Sequence, residues 1–158
     1  MNGSVHAINI SSGGVPKRTV GSANIMKDGV EGDFNRFRDG RGGDPDRAVC
    51  IFSLELIEDL KKEGHPICVG STGENLTIQG IEWSSLVVGT RLEVGDVVLE
   101  LSEPCAPCSK IGESFIGRRF GRVDHEQEFG WSRWLARVIR EGSISVGDSV
   151  NIIITPSH

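Results

Sequence analysis

The sequence predicts a mainly β domain, a barrel or a sandwich, with few helices. Its 158 residues include 21 glycines, which follow short apolar runs as turns between strands do. Residues 89–98 and residues 142–150 each place a Gly-Asp pair between two strand-like runs, which predicts a strand, a turn and a strand. Many short strands at this spacing favour a barrel or sandwich over a doubly wound sheet.

The apolar runs indicate where the strands lie. In chain order the predicted segments are residues 5–10, 47–52, 76–78, 86–88 and 97–101. Pro104 and Pro107 follow the last of these, and their rings predict that the sheet does not extend past residue 101. Residues 131–140 fit an apolar helix face and one face of a strand equally well.

One helix is predicted directly after the run at residues 47–52. Ser53 is of a type that caps helix N-termini. Apolar residues then recur at helical spacing: Leu54, Leu56, Ile57 and Leu60. Lys61 and Lys62 suit the negative C-terminal end of a helix dipole, and Gly64 is placed to end the helix.

Composition and charge exclude several classes of protein. The chain is 37% hydrophobic, enough for a core without disulfides, and its net charge of −5 and lack of tyrosine argue against nucleic-acid binding. No apolar run approaches the roughly 18 residues of a membrane span. Residues 1–10 lack a signal-peptide pattern. We therefore expect one cytoplasmic domain, with reduced cysteines and neither membrane nor nucleic-acid partners.

A pair of cysteines, Cys105 and Cys108, is the most informative feature of the chain. Basic residues follow Cys108 within fifteen positions: Lys110, Arg118, Arg119 and Arg122. Cations near a thiol lower its pKa and so raise the fraction of thiolate. The thiolate is the form that attacks electrophiles, carries sulfur and binds soft metals.

Three other interpretations of this pair stay open on the residues alone. Cys105 and Cys108 fit two partly buried thiols in a turn. Their spacing also fits a thiol–disulfide site, although such a site needs a helix N-terminus in a βαβ setting. A structural zinc site would need Cys50 and Cys68 as well, and these two lack Cys-x-x-Cys spacing.

Three loops carry candidate binding groups. Lys17 follows a glycine pair that lets it reach an anion. Arg47 closes a loop that also contains Arg36, Arg38 and Arg41, and Asp33 and Asp46 are placed to orient these arginines. Glu74 and Asn75 could offer an acceptor and an amide to the edge of a heterocycle. The two remaining candidates, His65 and His125, fit surface or packing positions better than catalytic ones.

Together these motifs resemble the MOSC domain, a family named for the C-terminal domain of molybdenum cofactor sulfurases. The matching segments, in the family's order, are Gly14-Val15-Pro16-Lys17, Gly32-Asp33, Gly42-Gly43-Asp44-Pro45-Asp46-Arg47-Ala48-Val49, Gly73-Glu74-Asn75-Leu76-Thr77, Pro107-Cys108-Ser109-Lys110-Ile111 and the stretch from Ala136-Arg137-Val138 to Gly147-Asp148. The resemblance implies a single MOSC domain over residues 1–158, a β-barrel with a few short helices. It also favours a strand for part of residues 131–140.

The resemblance implies molybdenum cofactor, a pterin with a phosphate and a dithiolene, as the ligand. It makes Cys108 the reactive residue, as a molybdenum ligand or as a persulfide carrier. By position it places these residues near the cofactor: Lys17, Asp33, Arg47 and Asn75, with Arg118 and Arg119 as further candidates. Cys105 would act as a resolving thiol for a persulfide on Cys108.

The expected function is cofactor sulfuration or reduction of N-hydroxylated compounds. Sulfurases also carry a pyridoxal-phosphate domain, for which this chain has no room, so sulfur would come from a partner cysteine desulfurase. A reductase would need an electron-donor protein, and a molybdoenzyme is the expected acceptor of sulfur. The alternatives are a non-catalytic module that binds or delivers the cofactor, and a Cys-x-x-Cys thiol–disulfide protein.

Overall fold

Strands dominate the computed structural model, which describes residues 2–34 and 44–153 of the chain. Their bounds, with those of the α-helix, are β1 (Asn2–Ile10), β2 (Arg18–Val20), β3 (Ser22–Met26), β4 (Gly29–Val30), β5 (Val49–Ser53), α1 (Leu54–Lys62), β6 (Leu76–Gln79), β7 (Arg91–Val94), β8 (Val97–Cys105), β9 (Arg133–Arg140), β10 (Gly142–Ser145) and β11 (Ser149–Ile153). Short 3-10 helices cover Pro45–Arg47, Trp83–Ser85, Ser109–Ser114, Ile116–Arg118 and Phe120–Val123. The candidate arginines Arg36, Arg38 and Arg41 lie outside the described residues.

Seven strands form a closed barrel, which confirms the predicted fold class. Their order is β11-β7-β8-β9-β5-β6-β1, and β1 pairs again with β11 to close the ring. Strand β2 extends the sheet beyond β1, while β10, β3 and β4 form a separate three-stranded sheet. The inward side chains fill the barrel with aliphatic residues; Ile8, Ile51 and Leu99 have no solvent exposure.

An odd number of strands imposes a constraint on this ring. Strand direction must return to its starting sense after one circuit, so a seven-stranded ring needs at least one parallel pair. The pair β5 and β6 is parallel, and the other six pairs of the ring are antiparallel. Parallel strands need a crossover connection, and α1 with the loop at residues 63–75 supplies it.

The helix of this crossover forms as predicted. The Ser53 side chain accepts a hydrogen bond from the backbone N–H of Leu56 at 3.2 Å, which satisfies one of the unpaired donors of the first turn. Ile57 and Leu60 are fully buried against the barrel. Gly64 has a φ of +98°, which side chains disfavour, and it directly follows the C-cap residue.

The two Gly-Asp turns have different surroundings. The first joins β7 and β8 as a hairpin, as predicted. The second joins β10 and β11, which lie in different sheets, so it is a strand-turn-strand unit without pairing between its strands. The turns contact each other, because the Gly95 N–H donates to the Ser149 carbonyl at 3.0 Å.

Two local predictions are wrong. Residues 86–88 form no strand; they follow a 3-10 helix, and Val87 and Val88 are exposed. Strand β8 continues to Cys105 through Pro104, which pairs with Trp134 of β9. A β-bulge after Leu101 and the end of the pairing with β7 leave this stretch at an edge, where a proline costs no ladder hydrogen bond.

Strand β9 resolves the ambiguity of residues 131–140 in favour of a strand. It pairs with β8 on one side and with β5 on the other, so both of its edges are satisfied by hydrogen bonds.

Among the described residues, no helix is long and apolar enough to cross a membrane.

The cap of α1 generates a stability prediction. Ser53→Ala removes the acceptor of the Leu56 N–H and should lower the free energy of unfolding by about 1 kcal/mol, measured by urea denaturation. Ser84→Ala is the control, because the exposed Ser84 makes no comparable cap, and it should stay within about 0.5 kcal/mol of wild type. Equal effects of the two substitutions would contradict the cap.

Candidate functional site

A pocket of about 160 Å³ lies where the end of β8 and the start of β9 come near the start of β5 and the loops next to β1 and β6. Cys50, Cys105, Arg133 and Leu135 line it from the strands, and residues 14–17, 34, 72–75 and 106–111 complete its wall. Its polar and reactive lining consists of three thiols, three cations and two uncharged polar side chains: Cys50, Cys105, Cys108, Lys17, Lys110, Arg133, Thr72 and Asn75. Within the described part of the chain, no Asp or Glu lines it. In a chain with a net charge of −5, this concentration of positive charge indicates an anionic ligand.

The three thiols differ in environment. Cys50 of β5 and Cys105 of β8 flank β9 and are buried together against Leu135. A hydrogen bond with the Cys105 side chain, burial and the charge of Cys105 raise the pKa of Cys50 well above its ordinary value. Cys50 therefore keeps its proton at neutral pH. Cys108 is half-buried and immediately precedes the 3-10 helix Ser109–Ser114, so its sulfur is the most accessible of the three.

Lys17, Asp33 and Asn75, all predicted site residues, form one network. Lys17 and Asn75 line the pocket, and Asp33 contacts both without lining it. The Lys17 ammonium contacts Asp33 Oδ2 at 2.8 Å, and these side chains are only 9% and 2% exposed. Asn75 Nδ2 donates to the same oxygen at 2.9 Å, and the Ser11 N–H donates to Asp33 Oδ1 at 2.9 Å. Asp33 therefore holds the Lys17 ammonium in place and offsets part of its charge.

Asn75 acts chiefly as a structural bridge. Its Oδ1 accepts from the Cys50 N–H at 3.1 Å, and its Nδ2 also donates to the Asn9 carbonyl at 3.3 Å. Its backbone joins the same two strands, because its N–H donates to the Cys50 carbonyl and its carbonyl accepts from the Asn9 N–H. The Asn75 amide, which was predicted to bind the edge of a heterocyclic ligand, thus already makes hydrogen bonds within the protein.

The loop at residues 70–75 is held by a buried carboxyl group. Glu74 has no solvent exposure and accepts hydrogen bonds from the Gly70 N–H and from the hydroxyls of Thr72 and Thr77, at 2.8–3.1 Å. Burial raises the pKa of Glu74 above its ordinary value, although these hydrogen bonds lower it in part. The loop then binds the Lys17 segment, since the Lys17 N–H donates to the Gly70 carbonyl at 2.9 Å.

Gly70 is required at that contact. Its φ is +82°, and a Cβ there would lie 2.5 Å from the Lys17 carbonyl oxygen. No side chain fits both the conformation and the space.

Arg133 is the site residue that the sequence did not reveal. It begins β9, pairs in register with Cys105, and is 6% exposed at the pocket. Burial lowers the pKa of its guanidinium, but Cys105, Cys50, Glu74 and Cys108 together raise it, and the net shift is upward. The guanidinium is therefore charged. Sequence reasoning could find it only after choosing a strand for residues 131–140, because alternation then turns Arg133 and Leu135 toward the same face.

Besides Asp33, three predicted cofactor contacts lie outside the lining of this pocket. Arg47 pairs with Glu103 and, at 3.5 Å, with Asp44. Arg118 is 55% exposed and pairs with Glu113 at 3.0 Å, while its other nitrogen donates to the Ser109 carbonyl. Arg119 is exposed. The role of these arginines as cofactor contacts stays a prediction that the pocket does not support.

The remaining candidates have structural surroundings. The His65 ring packs edge-on against Phe115 and accepts the Ile116 N–H, and the His125 ring packs against Phe129 and Trp134. Cys68 is exposed and does not line the pocket. Residues 2–34 and 44–153 contain no group of three or more His, Cys, Asp or Glu placed to hold a metal ion, which argues against the four-cysteine zinc site.

The sequence pattern of the MOSC domain matches residues 38–151 of this chain. The chain belongs to the MOSC domain family. Similar curated proteins include YflK of Bacillus subtilis, 28% identical over 142 residues, and YiiM of Escherichia coli, 26% identical over 129 residues. A protein of Gibberella moniliformis named Reductase is 32% identical over 133 residues. These matches cover 89%, 79% and 81% of this chain, but only 63%, 56% and 23% of the respective relatives.

Solved structures support the fold. YiiM of Geobacillus stearothermophilus superposes with a TM-score of 0.72 at 22% identity, covering 96% of this chain and 75% of its own. The YuaD protein of Bacillus subtilis gives 0.73 at 20% identity, covering 95% and 94%. These likenesses confirm the barrel that the MOSC resemblance implied. The family is associated with molybdenum cofactor.

The buried carboxyl group of this MOSC domain generates a pH prediction. Because the pKa of Glu74 is raised in the folded state, folding is favoured by its protonated form. The free energy of unfolding should therefore fall as pH rises from about 4.5 through the folded-state pKa. The side chain introduced by Glu74→Gln does not titrate, so the substitution should remove this part of the pH dependence. The free energy of unfolding is measured by denaturation at a series of pH values.

The control for this prediction is Glu82→Gln, which makes the same change at an exposed carboxyl group. It should leave the pH dependence unchanged. Parallel pH profiles for wild type and Glu74→Gln would contradict the burial effect.

Proposed function

We propose that this pocket binds molybdenum cofactor and that the sulfur atom of Cys108 either ligates the metal or carries a persulfide. The observation that carries the proposal is the lining: an accessible thiol lies among three cations, with no acidic side chain in the described lining. Thiolate is a ligand suited to soft metals, and cations suit a phosphate. The donor set therefore fits the cofactor that the family is associated with.

The residues divide between the two ends of such a ligand. Lys110 is exposed at the pocket, and Lys17 retains donors because its ammonium has three and Asp33 takes one. These two cations would hold the phosphate. Cys108 would meet the metal, and the apolar side chains of Phe34, Ile111 and Leu135 would exclude water around it.

The cofactor, when bound, supplies two-electron chemistry at its metal. The contribution of the chain is electrostatic and steric. Arg133 provides a fixed positive charge that favours anionic sulfur in the pocket, and its pKa is raised by the thiols. Cys50 keeps its proton, which leaves Cys108 as the accessible nucleophile or ligand.

A reductase activity toward N-hydroxylated compounds is the first form of the proposal. It is supported by the Gibberella moniliformis protein named Reductase, although this chain covers only 23% of that protein. An electron-donor protein would then be a partner. A cytoplasmic location, where thiols stay reduced, suits this chemistry.

Sulfur carriage for cofactor sulfuration is the second form. The Cys108 thiolate would attack the outer sulfur of a persulfide on a partner cysteine desulfurase, which gives a Cys108 persulfide and releases the partner's thiolate. The half-buried position of Cys108 leaves its sulfur accessible to such an attack. A molybdoenzyme would be the acceptor, and Cys105, in the same lining, is the candidate resolving thiol.

A non-catalytic module that binds or delivers the cofactor is the competing function. The cationic lining favours it, because Lys17, Lys110 and Arg133 can hold an anion without any bond to Cys108. Binding would then survive the loss of the Cys108 thiol.

Metal content decides between these functions. The protein is purified from a host that makes molybdenum cofactor, and molybdenum per chain is measured for wild type and Cys108→Ser. We expect near-stoichiometric metal in wild type and its loss in the variant, because a hydroxyl is a poor soft-metal ligand. Cys68→Ser, the same change at an exposed thiol outside the pocket, should keep the metal.

Equal cofactor in wild type and Cys108→Ser would favour the delivery module. Absence of both metal and pterin from wild type would contradict the proposed cofactor.

Sulfur carriage is tested by mass. Incubation with a cysteine desulfurase and cysteine should add the mass of one sulfur atom to the Cys108 peptide, and a reductant should remove it. Cys105→Ser should prolong the lifetime of this persulfide, because the candidate resolving thiol is gone. An adduct on Cys68 alone would overturn this form of the proposal.

A further inference from the structure

The Arg133 guanidinium has hydrogen-bond donors for which the described residues provide no acceptor. Its one hydrogen bond in residues 2–34 and 44–153 joins Nη1 to the Thr72 carbonyl at 2.7 Å. Nε is buried and has no partner, and no carboxylate lies within ion-pair distance in that part of the chain. A charged guanidinium without a carboxylate partner is costly to bury, because it loses hydration that nothing replaces.

The charge near Arg133 is only partly balanced. Glu74 is the carboxyl group whose charge raises the pKa of Arg133. Thr72 links the two groups, since its carbonyl accepts from Arg133 and its hydroxyl donates to Glu74 at 2.8 Å. Glu74 is, however, already engaged by three hydrogen bonds, and burial raises its pKa. An anion in the pocket would therefore find a positive charge that is not yet neutralised.

Four cations that do have a carboxylate partner provide the contrast. Arg91, Arg122 and Arg137 each contact a glutamate, and Lys17 contacts Asp33. Arg133, which is more deeply buried than any of these arginines, is the one that faces thiols instead.

We propose that Arg133 makes the inner part of this pocket a binding site for a small tetrahedral oxyanion, such as phosphate or sulfate, next to the thiols of Cys50 and Cys105. Nη1 is occupied by the Thr72 carbonyl, which leaves Nε and Nη2, the two donors of one guanidinium edge. That edge is the one that binds two oxygens of a phosphate or carboxylate together. The site does not depend on the proposed cofactor.

Two sources share this chemistry. The oxyanion is a free ion, or it is the phosphate group of a larger ligand in the same pocket. Both place negative charge at Arg133, and both use the same donors, so they are separated by experiment.

The test uses protein made in a host that lacks molybdenum cofactor, with inorganic phosphate as the probe. Binding is measured by calorimetry at constant ionic strength, with chloride replacing phosphate in the blank. Wild type should bind phosphate, and Arg133→Gln should raise the dissociation constant at least about tenfold, because a charge-assisted contact is lost. Arg133→Lys keeps the charge but loses the paired donors, so its dissociation constant for phosphate should lie between those of wild type and Arg133→Gln.

Arg91→Gln is the matched control, because Arg91 is an exposed arginine paired with Glu100 outside the pocket. It should bind phosphate as wild type does. A second measurement follows alkylation of Cys108 by neutral iodoacetamide, which bound phosphate should slow in wild type but not in Arg133→Gln. If Arg133→Gln does not fold, Arg133→Lys decides the question with the same two measurements.

The source of the oxyanion is found with cofactor-loaded protein. Loss of phosphate binding on loading would show that the larger ligand occupies the site, and retained binding would assign the site to a free oxyanion. Both outcomes support an oxyanion site at Arg133. Phosphate binding that is equal in wild type and Arg133→Gln, or absent from wild type, would overturn it, whatever the molybdenum content.

Discussion

The parallel pairing of β5 with β6 is the constraint on which the rest of this structure depends. A ring of seven strands cannot close with antiparallel pairs alone, and a parallel pair needs a crossover. The crossover returns the chain to the end of the barrel where β5 began, so its last residues, the loop at 70–75, must lie at that end. The pocket therefore follows from barrel closure: the same connection that makes the ring possible brings Thr72 and Asn75 next to Cys50.

Buried polar groups then fix that loop against its neighbours. Asn75 bonds to Asn9 and Cys50, residues of β1 and β5, the two strands that flank β6, and Glu74 ties the loop to itself through Gly70 and Thr72. Such groups are costly to bury unless every donor and acceptor finds a partner, so they permit one arrangement of the loop rather than many. The family motif Gly-Glu-Asn-Leu-Thr thus has a structural explanation at Glu74 and Asn75 before any ligand is considered.

The sequence predicts the elements whose cause is local. The helix α1 has its cap, its apolar spacing and its terminating glycine within twelve residues, and it forms as expected. The predictions that failed depend on distant partners. Pro104 lies within β8 because a bulge and the end of the pairing with β7 leave an edge there. The cofactor contact of Arg47, which stays a prediction, depends on a distant partner as well, because Arg47 pairs with Glu103, far away in sequence. Neither fact can be read from neighbouring residues, whereas the order of the family motifs correctly indicated the barrel.

The same distinction explains why the arginines near Cys108 in sequence do not line the pocket with it. A basic side chain at the surface gains from any nearby carboxylate, and a chain with 22 acidic residues offers many, so Arg118 and Arg122 pair with glutamates. A cation that stays uncompensated must be placed where no carboxylate can reach it. The start of β9 is such a place, because the strands on either side contribute thiols at this level of the barrel. Of the three cations that line the pocket of this MOSC domain, the buried Arg133 thus comes from the strand that the residue pattern alone left undecided.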